Sequence, residues 1–278
     1  MVLVLVYHLE LGCVRRQQSI NSGNYLRVKL LLRNLSHQPL KISGFLVILL
    51  YKTHKNMNEI INYNVSFDNA TKAFEYWYDQ IMKYGLDTEI GTKALYNVCF
   101  VIRNPKDRVI TTPWRKFNDS YAKQEWEWYQ SGWPYVTEIK KVAKIWDRMH
   151  NGDDRVNSNY GYQWQRNGQL EKTIEQLKNN PNTRQAWISL FDGKEKYHYQ
   201  YDTPCTMCIG FDIKNNKLDM TVVMRSNDLI YGFCNDQYCF SMLQEYVANE
   251  LNIEVGTYTH IAHDMHIYER HYSMKNKN

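Results

Sequence analysis

Chemistry in this chain would start at Cys205, which follows Pro204 in Asp202-Thr-Pro-Cys205-Thr206 and opens an apolar strand pattern. That setting suits a nucleophilic thiol and equally a buried small hydrophobe. Downstream stand Arg225-Ser226-Asn227-Asp228, then Gly232 and Asp236, then His266-Ile-Tyr268. Upstream stand Glu125, Trp146, Tyr160 within Asn157-Ser-Asn-Tyr-Gly161, and Arg184 within Pro181-Asn-Thr-Arg184. Taken singly each has an ordinary reading: Arg225-Ser-x-Asp228 at a strand end serves as well for a surface ion-pair cluster. Cys205-x-x-Cys208 with Cys234-x4-Cys239 is loosely spaced for zinc, and its second pair falls where a helix starts. A thioredoxin-type pair would need a helix beginning between its cysteines. His260, His263, His266 and His271 do not suggest a metal, because three-residue steps along a strand alternate faces. The common dinucleotide, P-loop and zinc-protease motifs are absent.

The elements that must position these residues alternate without repeats. A helix is expected from an N-cap at Asp68 through Lys83, ended by Gly85. Residues 94–103 read as a strand, followed by an irregular basic loop from Arg103 to Arg115. Helices are expected over 118–130, closed by Gly132 and Pro134, and over 136–149. Residues 150–167, dense in Asn, Tyr and Trp, read as a site-forming loop. A helix over 168–179 precedes strands at 184–191, 206–213 and 217–225, the last two joined at Asn215-Asn216, a type I′ hairpin signal. A helix over 236–251 and a strand near 257–268 follow. No Pro/Ser/Gly-rich linker divides residues 57–278, so they read as one α+β domain.

The 278 residues carry a net charge of +5, unevenly. Residues 1–56 hold eight of the 34 Lys/Arg against one of the 29 acids, leaving 26 basic against 28 acidic residues beyond them. The globular part is therefore not basic, and no nucleic-acid partner is expected. Residues 1–56 read as an accessory extension of unknown role, with Met57 a candidate natural start. Their apolar runs, Val2–Val6 and Phe45–Tyr51, fall short of the ~20 residues that span a bilayer, so no membrane partner is expected. Six cysteines are too sparse for a disulfide scaffold, which suits a reducing, cytoplasmic setting.

Taken together and in order, the segments resemble the thymidylate synthase family. The likeness runs through Tyr160-Gly161-x-x-Trp164, Thr183-Arg184, Pro204-Cys205, Arg225-Ser226-x-Asp228-x3-Gly232-x3-Asp236 and His266-x-Tyr268. Glu125-Trp-Glu-Trp128-Tyr129 resembles that family's Glu-x-x-Trp-Phe helix, and Ile145-Trp146-Asp147 its folate-side Trp. The match covers roughly residues 94–272. It implies a large mixed β-sheet flanked by helices, paired sheet to sheet in a homodimer with shared active sites. It implies a pyrimidine deoxynucleotide monophosphate as substrate, 5,10-methylenetetrahydrofolate as co-substrate and no metal. Cys205 would add to C6 of the pyrimidine, making C5 nucleophilic toward a one-carbon unit, with nearby arginines lowering its pKa. Arg225 and Ser226 would hold the phosphate, Arg184 would reach it from the partner subunit, and Arg108 would add to that shell. Glu125 would pass protons through ordered water, and Tyr160 would assist removal of the C5 proton. His266 and Tyr268 would bind the sugar 3′-hydroxyl, and Asp228 and Trp146 the folate.

Asp236 departs from the synthases, which carry Asn there to match uracil's O4 and N3–H. A carboxylate accepts from cytosine's amino group, and a shared proton reaches N3. Asp at this position resembles the phage deoxycytidylate hydroxymethylases, in which water captures the exocyclic methylene. The expected activity is therefore conversion of dCMP to 5-hydroxymethyl-dCMP, in a phage-infected host cytoplasm. The alternatives are a thymidylate synthase or dUMP hydroxymethylase, and a non-catalytic nucleotide- or RNA-binding relative. Gln185 replaces a second Arg, and Gly210 stands where relatives carry Gln. The chain stops soon after Tyr272, short of the tail that closes over folate, which is expected to admit water to the site.

Overall fold

The computed structural model describes residues 65–149, 153–193 and 202–276; the expectation for residues 1–56 lies outside them. In chain order the elements are β1 (Val65–Phe67), α1 (Ala70–Tyr84), β2 (Leu86–Asp87), β3 (Thr92–Ile102) and α2 (Asp119–Ser131). Then come α3 (Tyr160–Gln165), α4 (Gln169–Asn179), β4 (Trp187–Ser189), β5 (Thr206–Lys214), β6 (Lys217–Met224) and β7 (Asn227–Asp228). A π-helical turn, Leu229–Phe233, leads into α5 (Cys234–Glu250), and β8 (Glu254–Tyr268) completes the sheet.

The strands form one mixed sheet in the order β1-β3-β8-β6-β5-β4, with β2 added against β3 and β7 against β8. Alternation decides its faces. Val98, Phe100, Ile102, Val222, Met224, His260 and Ala262 share one fully buried face, where Trp77 of α1 and Phe233, just ahead of α5, both meet the Phe100 ring. The other face carries Cys99, Val101, Val223 and Ile261, which remain partly exposed. Asn215 and Asn216 both adopt positive φ (51° and 58°), so the β5–β6 hairpin closes through the expected mirror-image turn. α5 is buried around most of its circumference. Its interior Gln244 donates through Nε2 to the carbonyls of Leu218 (2.8 Å) and Thr257 (2.9 Å), while its buried Oε1 has no partner among the described residues.

Several expectations need correction. The cap of α1 is Asn69, whose side chain accepts from the Lys72 amide at 2.9 Å, while Asp68 pairs with Arg103 at 2.6 Å. No α-helix spans 136–149. Two 3-10 turns, Ile139–Lys141 and Lys144–Arg148, are separated by Ala143 in an extended conformation (φ −141°, ψ 106°). Within 150–167, Asn159 caps a real helix, accepting from the Tyr162 amide at 2.7 Å. The strand expected at 184–191 shortens to Trp187–Ser189.

Gly161 lets α3 press onto α2, since a Cβ there would lie 1.7 Å from the Tyr129 carbonyl oxygen. Gly161→Ala is expected to cost about 3 kcal/mol, the upper part of the overpacking range. A thermal melt should therefore fall by several degrees, and an unchanged melt would mean α2 and α3 are not held this close.

Candidate active site

Thr206 at the start of β5 pairs with Met224 at the end of β6, so the residues just outside that pair, Cys205 and Arg225, are brought together. The Arg225 amide donates to the Cys205 carbonyl at 2.8 Å. Its guanidinium donates to the carbonyls of Pro204 (3.0 Å) and Thr203 (2.9 Å), and Nη2 lies 3.6 Å from the Cys205 sulfur. The cation is thus clamped beside the thiol while Arg225 itself stays exposed. Arg225 does draw the thiol pKa down, as expected. Burial outweighs it, with Asp236 and Asp202 adding to burial, and the thiol is pushed up to about 11. The expectation of a net lowering is therefore reversed.

Two carboxyls, Glu125 buried and Asp236 half-buried, face the same interior. Glu125 on α2 accepts from Tyr121 (3.0 Å) and Tyr129 (3.5 Å) through Oε1, while its buried Oε2 has no partner. Burial raises Glu125 to about 7, the two phenols only partly offsetting it. Asp236, in the first turn of α5, is raised far above the usual carboxylate range by burial and by the Glu125 charge. Asn227 donates to Asp236 Oδ2 at 2.8 Å and opposes that rise, leaving its own buried Oδ1 without a partner. Gly232 permits this corner, because a Cβ there would come within 2.8 Å of the Asn227 amide nitrogen.

Tyr160 at the start of α3 is buried, stacked on Phe240 (5.4 Å between centroids), with the charges of Asp236 and Cys205 acting on its phenol. β7 runs parallel to β8 and sets Asp228 beside His266 in register. Asp228 caps the π-turn by accepting from the Ile230 amide at 2.9 Å. His266 Nδ1 bonds Asp264 at 2.7 Å, and its ring meets Tyr268 edge-on at 5.2 Å. Trp146 is buried and donates to the Tyr121 hydroxyl at 3.0 Å, so it reaches Glu125 through that phenol. Ser226 lies half-buried next to Arg225. Arg108 is directed elsewhere: it is buried against Glu245 of α5 and stands 5.9 Å from the Tyr238 ring centroid. Arg184 is exposed just before β4, away from these groups' hydrogen bonds. Among the described residues no three His, Cys, Asp or Glu side chains converge as a metal site, and no helix is long and apolar enough to cross a membrane.

Glu125 gives a prediction in two parts. Its raised pKa means the proton is held below about pH 7 and lost above it, so kcat/KM should bend near pH 7. Glu125→Gln should remove that limb and lower kcat by about 10²-fold. A carboxyl whose folded pKa is raised stabilises the fold fully below its unfolded pKa, and that contribution is lost as pH rises through 7. Glu125→Gln should therefore melt higher than wild type at pH 8.5, by a free energy on the order of 3 kcal/mol. Equal melting at pH 8.5 would show that Glu125 is not buried as an ion there.

A sequence-family model described as "Thymidylate synthase" matches residues 74–278. The chain belongs to the thymidylate synthase family. A "Deoxyuridylate hydroxymethyltransferase" of Pseudomonas phage M6 is 33% identical over 181 residues, 62% of this chain and 51% of that protein. A "Deoxycytidylate 5-hydroxymethyltransferase" of Enterobacteria phage T4 is 28% identical over 170 residues, 56% of this chain and 69% of that protein. A "Putative thymidylate synthase" of Methanocaldococcus jannaschii is 34% identical over 211 residues, 72% of this chain and 88% of that protein. The chain thus spans about half the length of the Pseudomonas phage relative that it matches. The solved thermostable thymidylate synthase A of Bacillus subtilis superposes with a TM-score of 0.60 over 74% of this chain and 82% of that one, at 22% identity. The fold is that of thymidylate synthases, the mixed sheet flanked by helices expected from the motifs.

Within this thymidylate synthase fold, motif reading missed residues that act between the motifs. Tyr121 lies one helical turn before Glu125, and that i,i+4 spacing was available as a signal. Asn227 occupies the unspecified position of Arg225-Ser-x-Asp228, and nothing in its type marks it as a partner for Asp236. Asp202 and Asp264 lie three and two residues from recognised site residues, but their partners are set by tertiary structure.

Proposed function

We propose that the protein transfers a one-carbon unit to C5 of dCMP, yielding 5-hydroxymethyl-dCMP. The observation that carries the choice of ring is the surplus of acceptors at the Asp236 corner. Glu125 Oε2 and Asn227 Oδ1 are both buried acceptors without donors, beside a carboxyl that already takes one N–H. Cytosine brings an amino group with two hydrogens to this edge, whereas uracil brings another acceptor at C4. A neutral Asp236 would accept from that amino group and donate its own proton to N3.

The remaining groups fit the same chemistry. The Cys205 sulfur would bond to C6, leaving C5 an enamine carbon, and would depart once C5 is substituted and deprotonated with help from Tyr160. Glu125, poised near pH 7, would supply and take protons through water. Arg225 with Ser226 would hold the 5′-phosphate, and His266 with Tyr268 the sugar hydroxyl. When bound, 5,10-methylenetetrahydrofolate would supply the one-carbon unit and leave as tetrahydrofolate, with water providing the hydroxyl and no change of oxidation state. The fit of that group rests on Asp228, which spends one oxygen on the Ile230 amide and has no partner for the other among the described residues, as suits a donor-rich pterin edge. A sheet-to-sheet homodimer is part of the proposal. It is supported by the partly exposed apolar face of Val101, Val223 and Ile261, bordered by Trp187, which is 47% exposed and packs across Gly210. Arg184, exposed ahead of β4, would cross that interface to the partner's phosphate.

A second reading, action on dUMP, is favoured by one observation. A protonated Asp236 can move its proton between oxygens and so match uracil as well. Incubation with nucleotide tritiated at C5 and methylenetetrahydrofolate separates the readings. Tritium release from dCMP with a hydroxymethyl mass gain is expected. Release from dUMP alone would overturn the choice of ring, and nucleotide binding without release from either would favour a binding protein.

A further inference from the structure

Asp202 is 1% exposed, three residues before Cys205. Its Oδ2 accepts from the amides of Asn157 (2.7 Å) and Ser158 (2.6 Å), and its Oδ1 from the Ser158 hydroxyl. Its backbone carbonyl accepts from Asn157 Nδ2 at 2.8 Å. Four hydrogen bonds thus run from two consecutive residues to one, across 44 or 45 positions of sequence. The residues so gripped are those that launch α3. Gln163 of α3 donates back to the Asn157 carbonyl at 2.8 Å, Asn159 donates to the Trp133 carbonyl at 3.0 Å, and α3 begins with Tyr160. A buried carboxylate keeps its charge only where donors surround it, and here every hydrogen bond to its side chain among the described residues comes from the segment leading into Tyr160.

We propose that Asp202 is a positioning residue that locks the Tyr160 helix to the nucleophile loop. This rests on Cys205 and Tyr160 serving the reaction proposed above. The charged and titratable groups acting on Cys205 come from three directions. Arg225 at the end of β6 favours the thiolate, while Asp236 on α5 and Asp202 on the nucleophile's own loop oppose it. The phenols of Tyr160 and Tyr268, both raised, remain neutral beside it. Burial is the largest cause of the raised thiol, and the Asp202 charge adds the smallest of the contributions named; burial raises the Asp202 carboxyl as well, with its hydrogen bonds and Arg225 opposing that rise.

Asp202→Asn keeps the size of the side chain, removes its charge and sets an N–H against donors. Two readouts on full-length protein test the idea. Turnover, followed by C5 tritium release, should fall about 100-fold in kcat with little change in KM, because the Tyr160 phenol is displaced relative to the ring. Alkylation of Cys205 by iodoacetamide without nucleotide should speed roughly three- to tenfold at pH 8, because a charge opposing the thiolate is gone. General loosening would expose Cys205 and speed its alkylation too, so a KM and a thermal melt kept at wild type are required alongside the loss of kcat. Ser158→Ala, which removes one bond and leaves the charge, should lower kcat by a few-fold with a wild-type alkylation profile. Unchanged kcat in Asp202→Asn would overturn the positioning role, and an unchanged alkylation profile would overturn the action of its charge on the thiol. The alkylation arm uses no substrate, so a wild-type protein inactive on both nucleotides would sink the proposed function while still reporting on Asp202.

Discussion

Cys205→Ala is expected to fold normally and to lose tritium release from the true substrate by about 10⁴-fold or more, the scale on which covalent catalysis fails without its nucleophile. No neighbouring thiol can stand in. Cys208 lies on β5 in register with Val223, on the sheet face turned away from the buried core, and Cys234 and Cys239 are fully buried. The same residue predicts how the free protein behaves. With its pKa near 11, only about one sulfur in 10⁴ is ionised at pH 7. Alkylation of Cys205 should therefore accelerate close to tenfold per pH unit from 7 to 10, without a plateau below about 11. A plateau near pH 8 would mean that Arg225, not burial, governs the thiol. Residual release above about 1% in Cys205→Ala would remove covalent addition to C6 from the mechanism.

The difference between what the sequence announced and what it hid follows from how each residue acts. Cys205, Arg225, Asp228, Asp236, His266 and Tyr268 were legible as candidates because they lie at fixed offsets from strand ends or from the α5 start, where spacing and type together carry meaning. The sheet was legible for a related reason: period-two alternation on β6 and β8, and two adjacent asparagines at the hairpin, are local signals. The turns at Ile139–Lys141 and Lys144–Arg148 were not, since their composition suits a helix and only the extended Ala143 between them breaks it. The direction of the Cys205 shift was also out of reach. Counting arginines gives one side of a balance whose larger side is burial, and burial exists only after β5, α3 and α5 close around the thiol. Arg108 illustrates the converse. A basic loop residue read as a phosphate ligand is engaged instead by Glu245, a carboxylate 137 positions away.

At the Asp236 corner the proposed choice of ring and the proposed proton transfer can be tested apart. Burial and the Glu125 charge raise Asp236 well above the usual carboxylate range, while Glu125 itself is raised by burial. Asp236 in its neutral form leaves Glu125 as the member that exchanges protons near pH 7.

Asp236→Asn is accordingly expected to give two results. First, the Asn227 amide donates to the Oδ2 position at 2.8 Å, so it will hold the new amide with its oxygen there and its NH₂ turned toward the ring. An NH₂ in that place meets uracil O4 well and meets the cytosine amino group donor against donor. The ratio of kcat/KM for dCMP over dUMP should fall by about 10³-fold, the scale on which a site built for one hydrogen-bond pattern rejects the other. Second, Asp236 is neutral where Glu125 titrates, so the substitution removes no charge there and the pH limb near 7 should stay in place. The two results are read in one set of tritium-release profiles across pH with both nucleotides. An unchanged ratio would mean that Asp236 does not face the base. A shifted limb would mean that Asp236 is ionised near pH 7 and acts on Glu125 by charge. A changed ratio with an unshifted limb is what the Asn227–Asp236–Glu125 arrangement predicts.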